Sequence, residues 1–343
     1  MARGQLVRVL IADDSRLVRS MLRDLLSQDP DIEVIAEAAD GRQAVLKTAQ
    51  LRPDLVILDI RMPVMDGLEA VMEIMADCPT PILVLSASVD PGDSSAFNAI
   101  RYGALDVLTK PGGSGHAFAS IAGQLVKKIK SLAKVKVIHH FRRRPSLAIR
   151  RSPVGIRRDI LAIGASTGGP PAILRLLKEI PAASGARILI VQHIAEGFAT
   201  GFAEWLDRET DLRVRLAVSG DRLEPGLALV APNGRHLQVR EERIFLSDAA
   251  PVNSCRPAVD VLFASLAHSP LAARTAAVLL TGMGRDGAEG MAVLRKSGAH
   301  TIAQAEAGCV IFGMPKAAID LGAAMQVLPL GEIAPTLLTL LRQ

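Results

Sequence analysis

Short apolar runs recur along this chain, and each stops abruptly at a small or charged residue. The first is LVRVLIA at 6–12, which runs into Asp13-Asp14-Ser15; others lie near 32–37, at 54–59 (DLVILD), at 81–86 (PILVLS) and at 105–109. Between them apolar residues fall at helical spacing, as in RLVRSMLRDLL. Strands apolar on both faces, alternating with amphipathic helices, require a parallel sheet covered by helices. After a connector the pattern restarts: strand 159–163, helix 170–180, strand 187–191 (RILIV) and a helix near 197–208. A strand-like patch with turn signals at EPG and PNGR covers 213–247. Helix 257–267, strand 275–280 (TAAVLL), helix 287–297 and strand 300–304 follow. The second half does not repeat the first, so the expectation is two doubly wound α/β domains, each with its own core.

Composition narrows this further. Aromatics are 3% of residues and apolar residues 49%, so the cores must be aliphatic. Charges interrupt every apolar run well short of the roughly 18 residues a membrane span needs. LVRVLIA is too short for a signal sequence and meets two aspartates rather than a cleavage site, so a cytoplasmic protein without membrane insertion is expected. Cys78, Cys255 and Cys309 have no metal-binding spacing and read as reduced, mostly buried thiols. The net charge of +5 is local: residues 127–158 hold twelve Lys and Arg and no acid, leaving 28 basic against 35 acidic elsewhere. Such a run is expected to be a solvated connector. With Phe141 its only aromatic, it offers little for base stacking, and no DNA partner is expected.

In parallel sheets, functional groups collect at the C-terminal ends of strands. That rule lines up Asp13, Asp14, Asp59, Ser86 and Lys110 on one edge. Converging carboxylates repel one another and call for a hard cation, and an all-oxygen set suits Mg²⁺. A lysine and a hydroxyl beside them would hold an anionic oxygen group, so a carboxylate nucleophile forming an acyl-phosphate is the inference. Helix capping by DDSR is the plainer reading, but it explains neither Asp59 nor Lys110. Residues 6–130, with DDS, LDIRMPVMDG, LSA and TKP in order, resemble a response-regulator receiver domain of flavodoxin-like fold. The resemblance implies that Asp59 is the phosphoacceptor and that Asp13, Asp14, Asp59 and the carbonyl of Arg61 hold Mg²⁺. It also implies that Ser86 and Lys110 contact the phosphoryl group. Val107 stands where this family usually carries an aromatic switch residue.

In the second half LAIGASTGGP, residues 161–170, leads a strand into a loop of small residues. A phosphate cradle is one reading, yet the Lys-Ser/Thr of a P-loop is missing and the glycines are spaced G-x-x-x-G-G. A tight turn with Pro170 opening a helix is another. A third is a nucleophile, because Gly164-Ala165-Ser166-Thr167-Gly168 matches G-x-S-x-G. His193, after RILIVQ, and Asp286, in TGMGRDGA, follow strands whose ends fall on the same edge. Among competitors, His236 and His300 lie at strand starts, His268 ends a helix, His139 and His140 lie in the connector, and His116 follows a Gly-Ser turn. Asp260 falls inside a helix and Asp248 ends the strand-like patch. Spacing alone leaves the trio undecided.

Residues 159–342 resemble the methylesterase domain that bacterial chemotaxis couples to a receiver. IGASTGGP, VQHI, APNGRH, RPAVDVLF, LLTGMGRDGA and FGMPKAA carry the resemblance. It implies that Ser166, His193 and Asp286 form a triad in a mostly parallel α/β hydrolytic domain, with the backbone of Met283 in the oxyanion hole and no cofactor for the ester chemistry. The family commonly has Asp at Ala305 and Ser or Thr at Gly308. The expected organisation is a receiver at 1–126, a basic linker at 127–158 and a catalytic domain at 159–343. The expected activity is phosphorylation-activated removal of methyl esters from receptor glutamates, with deamidation of receptor glutamines. The partners so implied are cytoplasmic domains of methylated chemoreceptors and the histidine kinase of their pathway. A receiver with a nucleic-acid-binding output and a catalytically dead adaptor are the alternatives.

Overall fold

The computed structural model of the chain describes residues 6–86, 95–110, 115–135 and 158–342, with side chains from 121 onward in the third segment. Ala87 of LSA, Pro111 of TKP, the His116 side chain and connector residues 136–157, with His139, His140 and Phe141, lie outside the described residues. The chain divides into two compact units, Met1–Arg142 and Arg143–Gln343. No helix among the described residues is long and apolar enough to cross a membrane.

The first unit alternates strands and helices: β1 (Val7–Ala12), α1 (Arg16–Leu26), β2 (Ile32–Ala38), α2 (Gly41–Leu51), β3 (Leu55–Asp59), α3 (Gly67–Asp77), β4 (Ile82–Ser86), α4 (Ser95–Arg101), β5 (Asp106–Thr109) and α5 (Gly115–Leu132). Its five strands are parallel, in the order β2-β1-β3-β4-β5. That is the flavodoxin-like order, which reverses between β1 and β3 and so opens a crevice at their C-terminal ends. Caps explain where the helices begin. Ser15 accepts from Val18 N–H at the start of α1, Asp40 from Gln43 N–H at 2.8 Å, and Asp66 from Glu69 N–H at 2.8 Å.

Helix α5 continues through Leu132, with Leu125, Ile129 and Leu132 fully buried. Residues 127–132 therefore belong to the first unit's last helix, not to a connector. Two of its three lysines are paired: Lys128 with Asp106, and Lys130 with Asp29 at 2.7 Å and Asp31 at 2.8 Å. At the other end, Arg158 N–H donates to Leu340 O at 3.1 Å.

The second unit contains β6 (Ile160–Ala165), α6 (Gly169–Lys178), β7 (Arg187–Gln192), α7 (Phe198–Glu209), β8 (Arg213–Leu216), β9 (Leu227–Val230), β10 (His236–Arg240), β11 (Arg243–Ser247), α8 (Val259–Ala267), β12 (Thr275–Leu279), α9 (Ala288–Lys296), β13 (His300–Gln304), α10 (Met314–Asp320), β14 (Gln326–Leu328) and α11 (Leu330–Arg342). Seven strands form one parallel sheet, β14-β13-β12-β6-β7-β9-β8. The strand-like patch divides: β8 and β9 join this sheet, whereas β10 and β11 form a separate antiparallel hairpin. The core is aliphatic, built on Ile160, Leu189, Leu229, Leu262 and Leu279, with Phe263 among them. Of the three free cysteines only Cys78 is buried; Cys255 and Cys309 are half-buried, because both lie in loops rather than on core faces.

Candidate active site

In the first unit, strand register fixes the functional edge. Ala12 pairs with Leu58, Asp59 with Leu85 and Ser86 with Thr109, so Asp13, Asp59, Ser86 and Lys110 emerge together. Lys110 Nζ lies 2.7 Å from Asp13 Oδ2 and 2.7 Å from Asp59 Oδ2. Asp13 and Asp59 are buried, Asp14 is exposed, and the three offer carboxylate oxygens within 4.8 Å of one another. Burial raises the pKa of Asp13; the Lys110 ammonium offsets this only in part, and the Asp59 charge adds to the rise. Lys110 itself loses some affinity for its proton to burial but gains more from the two carboxylates, so its pKa is raised. Asp13 also accepts from Ser15 N–H at 2.9 Å, and Asp59 from Ile60 N–H at 2.8 Å. An all-oxygen donor set at a strand edge fits a hard divalent cation such as Mg²⁺. Val107 is buried on β5.

In the second unit, β6 lies between β7 and β12, with Ala165 opposite Gln192 and Gly164 opposite Leu279. Ser166 therefore leaves the sheet beside His193 on one side and the 280–286 loop on the other. Ser166 N–H donates to Thr281 O at 3.0 Å, and His193 N–H to Ala165 O at 2.9 Å. Two glycines make the turn possible. Gly168 has φ +75°, and a Cβ there would stand 2.4 Å from Val310. A Cβ at Gly282 would stand 2.8 Å from Cβ of Ser166, so only glycine lets the second loop pass so close to the serine.

His193 Nε2–H donates to Asp286 Oδ2 at 2.7 Å. Asp286 is 2% exposed and also accepts from the first N–H groups of α8, from Val259 at 2.6 Å and from Asp260 at 3.0 Å. Burial opposes charge on this carboxylate, but the imidazole and the backbone donors outweigh it and hold its pKa below the usual range. Burial also works against an imidazolium at His193. The hydrogen bond to Asp286, with the Cys255 side chain, overcomes this and lifts the pKa to about 9. Ser166 is 9% exposed, and its Oγ makes no hydrogen bond to His193 among the described residues. The base nitrogen left open by Asp286 is Nδ1. Met283 is half-buried, and its N–H has no acceptor among the described residues.

Asp260 is close by, but it is not the partner of the histidine. Its carboxylate accepts from Gly290 N–H at 2.6 Å and from Asn253 Nδ2 at 2.7 Å. Burial pushes its pKa up to about 6, the Gly290 N–H opposes that, and the Asp286 charge adds to it. The two carboxylates are thus driven apart, and Asp286 keeps the charge.

Both units match known families. Residues 161–337 match the family model for CheB methylesterase, and residues 9–122 match the response regulator receiver domain. The "protein-glutamate methylesterase/protein-glutamine glutaminase 2" of Anaeromyxobacter dehalogenans is 46% identical, covering 98% of this chain and 97% of that protein. The protein of the same name from Pseudomonas aeruginosa is 40% identical over 97% of this chain and 96% of its own length. This chain belongs to the CheB methylesterase family. The catalytic domain of Thermotoga maritima CheB superposes with a TM-score of 0.51 at 36% identity, covering 54% of this chain and all of that one.

Several residues beside the candidate site carry no signal in the sequence pattern. Gln192 Nε2–H groups donate to Ser166 O and to His193 O, each at 2.8 Å, tying the two backbones together. Buried His236, set aside as lying at a strand start, accepts from Ala258 N–H at 3.1 Å and donates to Ala250 O at 3.1 Å. It fixes the segment that feeds α8 beneath Asp286. Thr281 Oγ1–H donates to Thr167 O at 3.0 Å and accepts from Ile311 N–H at 3.0 Å. Cys255, read as an ordinary thiol, has its Sγ 3.8 Å from His193 Nδ1. Only the position of Gln192, last on a strand whose neighbour ends at Ser166, hints at its part.

Proposed function

We propose that this chain is a phosphorylation-activated protein-glutamate methylesterase that also deamidates protein glutamines, with Ser166 as nucleophile, His193 as base and Asp286 as the residue that orients it. The observation that carries this reading is the 2.7 Å His193–Asp286 hydrogen bond at the strand edge from which Ser166 emerges. Asp286 holds Nε2–H and so leaves the Nδ1 lone pair to receive the Ser166 proton. Ser166 Oγ attacks the γ-carbonyl of a methylated receptor glutamate, and the Met283 N–H stabilises the oxyanion. The imidazolium returns its proton to the departing methoxide, and methanol leaves. Water then attacks the acyl-enzyme with its proton going to the same base, giving glutamate and free Ser166. With glutamine the leaving group is ammonia.

In the receiver, Asp59 would take a phosphoryl group from the histidine kinase of a chemotaxis pathway. Asp13, Asp14, Asp59 and the carbonyl of Arg61 would hold Mg²⁺, which supplies positive charge against the incoming phosphoryl oxygens. Lys110 and Ser86 would contact the same oxygens. The substrates are cytoplasmic segments of chemoreceptors, which places the enzyme in the cytoplasm. Methanol release from methylated receptor membranes tests the reading: wild type should release it, and Ser166→Ala should not while remaining folded by circular dichroism. Retention of more than about one part in a thousand of the rate would reject Ser166 as nucleophile.

A further inference from the structure

The environment of Cys255 gives the second unit a site that the ester chemistry does not use. His193, Cys255 and Asp286 each offer a ligand atom within 4.8 Å of the others. The thiol sulfur faces Nδ1, the nitrogen that Asp286 leaves open. We propose that Cys255 and His193 form an inhibitory site for a soft divalent cation of the zinc class, bound through Cys255 Sγ and His193 Nδ1, with Asp286 as the outer carboxylate.

Three features support the assignment. The first is reach: bond lengths of about 2.3 Å to sulfur and about 2.0 Å to nitrogen span the 3.8 Å gap at an angle of about 124°, and a closure of about 0.3 Å would bring it to the tetrahedral angle of a four-coordinate ion. The second is the donor set, because a thiolate with an imidazole selects Zn²⁺-class ions over Mg²⁺, which prefers oxygen. The receiver's all-carboxylate set has the opposite preference, so the two units would sort the two classes of cation. The third is the outer shell. A histidine that binds metal through one nitrogen commonly donates its other N–H to a carboxylate, and Asp286 already accepts from Nε2–H at 2.7 Å, with its own oxygens held by the backbone of α8. The Nε2 contact with Asp286 thus sets the orientation of the ring before the ion arrives and leaves Nδ1 as the nitrogen to be metallated. Cys255 is half-buried, so it can be reached from solvent. Its thiol proton, now shared with Asn253 O at 3.4 Å, and the proton that an imidazolium carries on Nδ1 both leave to solvent on binding, and water fills the remaining coordination positions.

The consequence rests on His193 being the base. An ion on Nδ1 occupies the lone pair that must accept the Ser166 proton, so turnover stops without any change of fold.

Cobalt and zinc titrations of the full-length protein test this. Co²⁺ should give a thiolate-to-metal charge-transfer band in wild type and in Ser166→Ala, but not in Cys255→Ser. Asp286→Asn should weaken cobalt binding about 10–100-fold. Zn²⁺ should protect Cys255 from alkylation, and should inhibit wild-type methanol release at concentrations at least about tenfold below those needed for Cys255→Ser. A band that survives Cys255→Ser, no band at all in wild type, or equal zinc sensitivity of the two proteins would overturn the site. Because the band reads the metal directly, its presence in Ser166→Ala separates this proposal from the nucleophile assignment.

Discussion

Each of the two units buries aspartates beside its candidate site, and the two treat the charge of those aspartates in opposite ways. In the first unit Asp13 and Asp59 share one ammonium, Lys110, at 2.7 Å each, and Asp13 is left with a raised pKa. In the second, Asp286 is as deeply buried, yet its pKa is lowered, because two helix N–H groups and an imidazole all serve it alone. Asp260, which collects one backbone N–H and an amide beside that charge, is pushed up to about 6. Burial raises the pKa of all three carboxylates, and the donors and neighbouring charges around each decide whether that rise is overcome. An acid cluster with one shared cation suits a site that waits for another cation and a phosphoryl group. A carboxylate with private donors suits one that must stay ionised and hold an imidazole still.

The largest effect expected from breaking this contrast is at Asp286. Asp286→Asn keeps the shape but removes the charge and lets the imidazole adopt the other tautomer, as in serine proteases, where the equivalent change costs about 10⁴ in turnover. Steady-state methanol release measures it. A loss below about tenfold would mean that Asp260 or another acid takes over.

In the receiver the corresponding substitution is Asp59→Asn. It should erase the rate increase produced by a small-molecule phosphodonor with Mg²⁺ and leave the rate without phosphodonor unchanged. Val107 stands in for the usual aromatic switch residue, so the wild-type increase is expected to be modest. A response to phosphodonor that survives in Asp59→Asn would place the phosphoacceptor elsewhere.

Gln192→Ala sharpens the account of how the second site is held. His193 O loses the donor it receives from Gln192, whereas Ser166 O keeps Gly169 N–H at 2.8 Å. His193 is only half-buried, so the lost bond should cost about 1 kcal/mol rather than the full penalty of a buried orphan. Denaturant unfolding should show that loss, together with a lower kcat. Unchanged stability would remove Gln192 from the positioning set.

The subtlest effect concerns pH. An imidazolium whose pKa is lifted to about 9 is largely protonated at neutral pH and cannot accept a proton. kcat/KM should therefore rise with pH through the neutral range and level off on the alkaline side. In Asp286→Asn, where burial acts without the opposing charge, the inflection should move down. A wild-type profile with its inflection near the ordinary histidine value of 6.5 would contradict the coupling.

The same contrast explains what could be read from sequence. Asp13, Asp59, Ser86 and Lys110 directly end or follow strands, so locating the strands locates the residues. Ser166 and His193 share that advantage, on adjacent strands paired up to Ala165 and Gln192. Asp286 lies seven residues beyond β12 and reaches His193 only because the loop bends back onto α8. Spacing could not supply that fold-back. Cys255 comes from a loop with no periodicity at all, and its nearness to Nδ1 depends on the same closure. The basic stretch misled for a different reason: Leu125, Ile129 and Leu132 keep helical spacing into it, but a count of charges hides that pattern.

A nucleophile activated by His193 and Asp286 should react with an electrophilic phosphorus at Ser166 and nowhere else. Intact-mass analysis after exposure of the full-length protein to a fluorophosphonate tests it most directly. A single adduct mapping to Ser166 is expected, lost in Ser166→Ala and formed far more slowly in His193→Ala and Asp286→Asn. An adduct on another residue, or labelling of Ser166 at an equal rate in all three histidine- and aspartate-intact or -substituted proteins, would contradict it.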